Sequence, residues 1–350
     1  MLCSKALCAL ALVLIAQLSV AEIRILPTPD QGVQPRLVQA ADGSVHLLYF
    51  KKRIDRPAIR EGSLFYRQYM PETGRFSSAV RVSSQAFNIQ TVSIARAAMA
   101  VDGAGRVHVM WYLPREGKYM YSRSNPERTA FEPQQSMVSD FIEGHDAGGD
   151  IAARGDEVAL IWGAGDLAKE DERSMFARLS HDGGASFGEE TMIGNPDLGA
   201  CGCCSMAADY LSGSELAVAY RSAIDGTGRH MQILHVEGVN GELAGARYDS
   251  VHALQQWEAS FCPLSTNDIA LSAAKDAWLV FETESRIVKM NLSVPENITR
   301  VAEPLTETRQ KNPAIGISET GEHVVVWGEA ISHSRGGRLN LRWYDASGYG

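Results

Sequence analysis

Basic residues are the minority in this chain. Against 42 Asp and Glu stand 33 Lys and Arg, a formal net charge of -9. With that balance, and with no lysine- and arginine-rich patch interleaved with aromatics, neither a nucleic acid backbone nor an anionic membrane is an expected partner. The 9 histidines are sparse and scattered. No second long apolar run follows the N-terminal one, so no membrane span is expected in the mature chain. No Pro/Ser-rich linker or low-complexity run divides the sequence, although 350 residues could hold two domains on length alone.

What opens the chain is a leader. Lys5 gives a short positive start, Ala6 to Val20 is almost wholly apolar, and Ser19-Val20-Ala21 places small residues where a signal peptidase reads them. The expectation is a secretory signal over 1–21, cleavage before Glu22, and a periplasmic or secreted protein. A retained N-terminal anchor is the alternative. Cys8 lacks the small preceding residues that lipoprotein processing needs. Of the 6 cysteines, Cys3 and Cys8 leave with the leader, and Cys201, Cys203, Cys204 and Cys262 remain. In an oxidising compartment these are disulfide or metal-site candidates.

The mature sequence repeats one pattern: a short apolar strand, a polar turn often holding glycine, then an apolar strand ending in an aromatic. The second strands read VHLLYF (45–50), VHVMWY (107–112), VALIWG (158–163), LAVAYR (216–221), AWLVFE (277–282) and HVVVWG (323–328). They align Tyr49, Trp111, Trp162, Tyr220, Phe281 and Trp327. A third strand follows each, and a fourth follows five of them. The pattern predicts an all-β fold, a six-bladed propeller of four-stranded antiparallel blades filling 22–350 as one domain. The last repeat stops before its fourth strand. EIRIL (22–26) has that character, and is expected to pair with the strand at 339–345 and close the ring.

Ser180-His181-Asp182-Gly183-Gly184-Ala185-Ser186-Phe187 fits the pattern S-x-D-x-G-x-x-[FW] in the turn after a third strand. Asp182 can accept turn N–H groups, Gly184 can take positive φ, and Phe187 can plug the gap between sheets. This Asp-box within a six-fold repeat resembles the sialidase, or BNR-repeat, superfamily, in which the box is structural. The resemblance implies a carboxylate-binding arginine at Arg36, a second at Arg221, and a general-acid Asp at Asp55. Where the family has a glutamate before blade four, this chain has Cys201-Gly202-Cys203-Cys204-Ser205. The last blade supplies no nucleophile tyrosine in the family's setting; Tyr344 lies in its third strand. Weak or absent sialidase activity is therefore expected. A narrower resemblance is to exported bacterial sialidase-like proteins with Cys-x-Cys-Cys before a strand ending in Tyr-Arg, then Trp…Cys-Pro one blade later. Here these are Cys201–Cys204, Tyr220-Arg221, Trp257 and Cys262-Pro263.

In a propeller, the loop leading into each blade and the loop between its second and third strands open on one face. That topology directs Arg36, His145, the three clustered cysteines, Cys262, Asp55, Arg221 and Arg229 to one mouth. Two readings of the cysteines stay open. They form disulfides, with adjacent Cys203 and Cys204 poorly placed to bridge each other. Or Cys201, Cys203, Cys204 and Cys262, with His145, bind a soft metal, copper ahead of zinc. The arginines Arg36, Arg221 and Arg229 point to an anionic or carboxylate ligand. The leading expectation is an exported propeller with a thiolate metal or redox centre and a small anionic or glycan ligand. An exo-glycosidase using Asp55 is the runner-up. A non-catalytic propeller with structural disulfides, binding a ligand or a periplasmic protein partner, is the third.

Overall fold

A computed structural model describes residues 23–55, 60–89, 95–144, 148–239, 242–247, 255–272, 276–304, 308–330 and 337–350. The leader over 1–21 and His145 lie outside the described residues. No helix among the described residues is long and apolar enough to cross a membrane.

The strands form six small antiparallel sheets in a ring, a six-bladed β-propeller. The inner strands are Val33–Gln39, Ala98–Val101, Asp150–Arg154, Ala207–Tyr210, Asn267–Leu271 and Arg309–Ile317. Each pairs with a second strand, in order Val45–Lys52, Val107–Leu113, Glu157–Ala164, Glu215–Arg221, Ala277–Thr283 and His323–Ala330. All six sequence-predicted second strands are present.

These second strands are almost continuously apolar because both their faces are buried. Leu160 and Trp162 pack toward blade two, while Ala159 and Ile161, pointing the other way, pack toward blade four. The six aligned aromatics, Tyr49, Trp111, Trp162, Tyr220, Phe281 and Trp327, are each no more than 4% exposed. Burial of one such side chain is worth about 1.5–3 kcal/mol. Apolar clusters join blade one to two, two to three, three to four, four to five and five to six.

The Asp-box behaves as its residues dictate. Asp182 accepts the Ser186 N–H at 2.9 Å and the Ser186 and Ser180 hydroxyls at 2.6 and 2.8 Å. Burial pushes its carboxyl up, but these donors outweigh that and hold it at about 2. Gly184 has φ +74°, and a Cβ there would collide with the Tyr121 hydroxyl. Phe187 meets Tyr121 edge-on at 5.1 Å, closing the gap to blade two.

The expected N-terminal closure is not formed. The sixth sheet has three strands, ending at Gly337–Tyr344, and residues 23–28 belong to no strand. The chain there runs along blade one instead. The Arg24 guanidinium lies against Gly74, and Asp30 accepts hydrogen bonds from Tyr49 and Arg67 at 2.5 and 2.9 Å. Asp30 thus ties the start of the chain to blade one. Leu339, Leu341 and Trp343 of blade six stay 67%, 42% and 57% exposed.

Candidate functional site

The loops leading into blades four and five bring Cys201, Cys203, Cys204 and Cys262 together. Cys201 is bonded to Cys204 across a Cys-x-x-Cys spacing, and Cys203 to Cys262 across 59 residues. The Sγ atoms of Cys201 and Cys203, one from each disulfide, are 3.8 Å apart. The three clustered sulfurs lie within 4.8 Å of one another. Backbone bonds hold the loop in place: Cys201 N–H to Arg221 O, and Ser205 N–H to Ser265 O, each at 2.9 Å. Exposure is graded. Cys204 is buried at 5%, Cys201 and Cys203 are half-buried, and Cys262 is exposed beside Phe261, itself 61% exposed.

Glu170, in the turn Glu170–Glu172 between the second and third strands of blade three, organises the surroundings. Its Oε1 accepts the Gly202 N–H at 2.7 Å, and its Oε2 pairs with Arg229. Arg229 is 4% exposed, and its Nε and Nη1 have no hydrogen-bond partner among the described residues. Arg173, 2% exposed, donates to the carbonyls of Gly144 and Gly165 and packs on the cysteine loop. A Cβ at Gly202 would sit 3.3 Å from Arg173 Nε and 2.7 Å from Leu167, which explains glycine there. Arg173 thus packs on Gly202 directly, and Arg229 is tied to the loop through Glu170. Sequence reasoning passed over Arg173 and Glu170; the acidic run Glu170-Asp171-Glu172 in a strand-connecting loop was their only signal.

The sialidase-like constellation does not assemble. Arg221 is 1% exposed rather than presented to a ligand. Its Nε donates to Ser265 Oγ at 3.1 Å, and Nη1 and Nη2 donate to the carbonyls of Arg229 and Glu282, each at 2.6 Å. Its guanidinium lies over Trp257 at 4.9 Å and Phe281 at 5.6 Å. Burial pulls its pKa down to about 10. Arg221 is thus a bolt between blades four and five. Asp55 sits in an exposed loop of blade one, paired with Arg53 at 2.7 Å. Tyr344 is buried under the Lys289 ammonium, 3.4 Å from its ring centroid.

Arg36 faces the propeller axis and pairs with Asp268 of blade five at 3.1 Å. The register explains the meeting. Arg36, Ala98, Asp150, Ala207, Asp268 and Ala314 each lie opposite the residue just before a blade's aromatic. One axial rung therefore carries a charge in blades one, three and five and alanine in the others. Asp150 Oδ2 accepts the Ala208 N–H at 2.9 Å, and Asp268 Oδ2 the Ile315 N–H at 3.1 Å, so each stitches its blade to the next. Asp268, above all, raises the Arg36 pKa, whereas burial and then Arg36 lower that of Arg96.

Asp209 extends this charged lining. Burial, with Asp150 adding to it, lifts its carboxyl from 3.8 to about 7 despite the Tyr210 N–H bond. Raised in the folded state, it favours folding fully below about pH 4, and that contribution fades as pH rises through about 7. Asp209→Asn is expected to stabilise the protein at pH 8, by an amount on the order of 2–4 kcal/mol, and to change little at pH 4. Urea melts at both pH values check this; equal effects at the two would contradict it.

No family model matches the chain, and no curated protein matches it. Solved structures do. A protein of unknown function from Dyadobacter fermentans superposes with a TM-score of 0.53 at 10% identity, over 89% of this chain and 93% of that one. A sialidase from Streptococcus pneumoniae gives 0.52 at 8%, over 94% and 71%. An α-L-arabinofuranosidase from Fusarium graminearum gives 0.52 at 8%, over 91% and 94%. The chain is similar to these in fold: it is a sialidase-like propeller.

Proposed function

We propose that the protein is an exported propeller whose loops before blades four and five carry a thiol–disulfide redox centre. The observation that carries this reading is the 3.8 Å approach of Cys201 Sγ and Cys203 Sγ, one from each disulfide. An external thiolate attacks exposed Cys262, breaks its bond to Cys203 and leaves a thiolate on Cys203. That thiolate attacks Cys201, forms a Cys201–Cys203 bond and releases a thiolate on Cys204. Arg173 packs on the loop at Gly202, and a cation beside a thiol favours the thiolate. The exchange needs an external thiol as reductant and returns to two disulfides with an external oxidant.

Differential alkylation during reduction by dithiothreitol tests this. Cys203→Ser is expected to slow opening of the Cys201–Cys204 bridge at least about tenfold, because the less exposed bridge loses its internal attacker. Equal rates in both proteins, or reduction only in denaturant, would make the bridges structural staples.

Fully reduced, the same sulfurs offer the donor set of a soft d¹⁰ ion, copper(I) before zinc. Competition of the reduced protein against a copper(I) chelator is expected to show binding that Cys203→Ser/Cys204→Ser abolishes. The anionic ligand belongs to this proposal as well. Arg229, unlike Arg221, keeps N–H groups without a partner among the described residues, but it is buried as Arg221 is, so a ligand reaches it only if the loop opens.

A further inference from the structure

A second feature lies on blade one and involves no cysteine. A groove of about 480 Å³ opens beside the loop after the second strand, lined by Lys51, Lys52, Arg53, Asp55, Phe65 and Arg81 among others. That volume falls within the range of about 300–1,000 Å³ typical of small-molecule sites. The chain as a whole carries a net charge of -9, yet four cations and one carboxylate line this single wall. Such a local reversal of sign concentrates anions from solution.

The cations are not all committed. Arg53 pairs with Asp55 at 2.7 Å and with Glu61 at 3.4 Å, and Lys51 reaches Asp30 only at 4.0 Å. Arg81 donates to the Ser63 hydroxyl at 3.1 Å. Arg81 has no carboxylate partner among the described residues, and the register puts Lys51, Phe65 and Arg81 on one face of the sheet, with Lys52 on the other. Lys51 Nζ stands 5.6 Å from the centroid of the Phe65 ring, so a charged group and a flat apolar surface adjoin.

We infer that this groove is a binding site for small organic anions with an apolar body, the body lying on Phe65 and the anionic group meeting Lys51 and Arg81. It is independent of the redox reading. The Asp55 carboxylate then opposes binding, the reverse of a catalytic role.

Calorimetric titration of the mature chain with benzenesulfonate, inorganic sulfate and benzyl alcohol tests the inference. Benzenesulfonate is expected to bind, and each of the other two at least about tenfold more weakly, since one lacks the body and the other the charge. Lys51→Gln/Arg81→Gln is expected to lose about tenfold or more for benzenesulfonate, and Asp55→Asn to gain severalfold. Should the double variant not fold, raising salt from about 0.05 to about 0.5 M on the wild type replaces it, and must weaken binding about as much. A folded double variant that binds as well as the wild type overturns the inference. So does benzyl alcohol binding as tightly as benzenesulfonate, salt-insensitive binding, or no binding of benzenesulfonate.

Discussion

Arg221→Ala is expected to destabilise the protein by about 3–5 kcal/mol, with no ligand present. The guanidinium lies between Trp257 and Phe281, and its three nitrogens donate to Ser265, Arg229 and Glu282. Truncation leaves those buried acceptors unpaired and opens a cavity between blades four and five. Lysine keeps the charge but not the planar fork, so Arg221→Lys should recover only part of the loss. Equilibrium urea unfolding measures this. A ligand-binding arginine at a mouth would instead leave stability nearly unchanged, within about 0.5 kcal/mol. That result would restore the role which the sialidase resemblance implies.

Asp268→Ala is expected to cost about 3 kcal/mol or more. It strands Arg36 without the 3.1 Å ion pair, and it removes the acceptor of the Ile315 N–H. Since the pair joins blade one to blade five across the axis, its loss acts on the ring rather than on one blade. Arg36→Leu/Asp268→Leu should be milder than Asp268→Ala, because neither member of the ion pair is then left without the other. A double variant as damaged as the sum of the two single ones would show that the two side chains are not coupled.

The two-sided burial of each second strand made the blades legible. A continuous apolar run ending in an aromatic has few other uses in a chain of this length, and Trp162 or Phe281 could be placed from the pattern alone. Convergence of the cysteines was legible too, because loops into consecutive blades must share a rim. Their pairing was not, because spacing permits several bridges and only the folded loops show Cys201–Cys204 and Cys203–Cys262. Arg221 was misread because it ends a strand next to a loop, where an exposed side chain is the ordinary expectation. The strand end is instead covered by Trp257 from the following loop. Closure by 22–26 failed for a related reason. Alternating apolar residues announce a strand but not its partner, and the partners of Asp30, Tyr49 and Arg67, belong to blade one. The axial rung is visible only once the six aromatics are aligned, since Arg36, Asp150 and Asp268 are otherwise ordinary surface-type residues.

The most direct measurement is a disulfide map of the protein as isolated, alkylated on collection and digested without reductant. Two linkages are expected, Cys201–Cys204 and Cys203–Cys262, each becoming free thiols under mild reduction without denaturant. Four alkylated cysteines in freshly collected protein, or a different pairing that resists mild reduction, would contradict a redox centre built from these four residues.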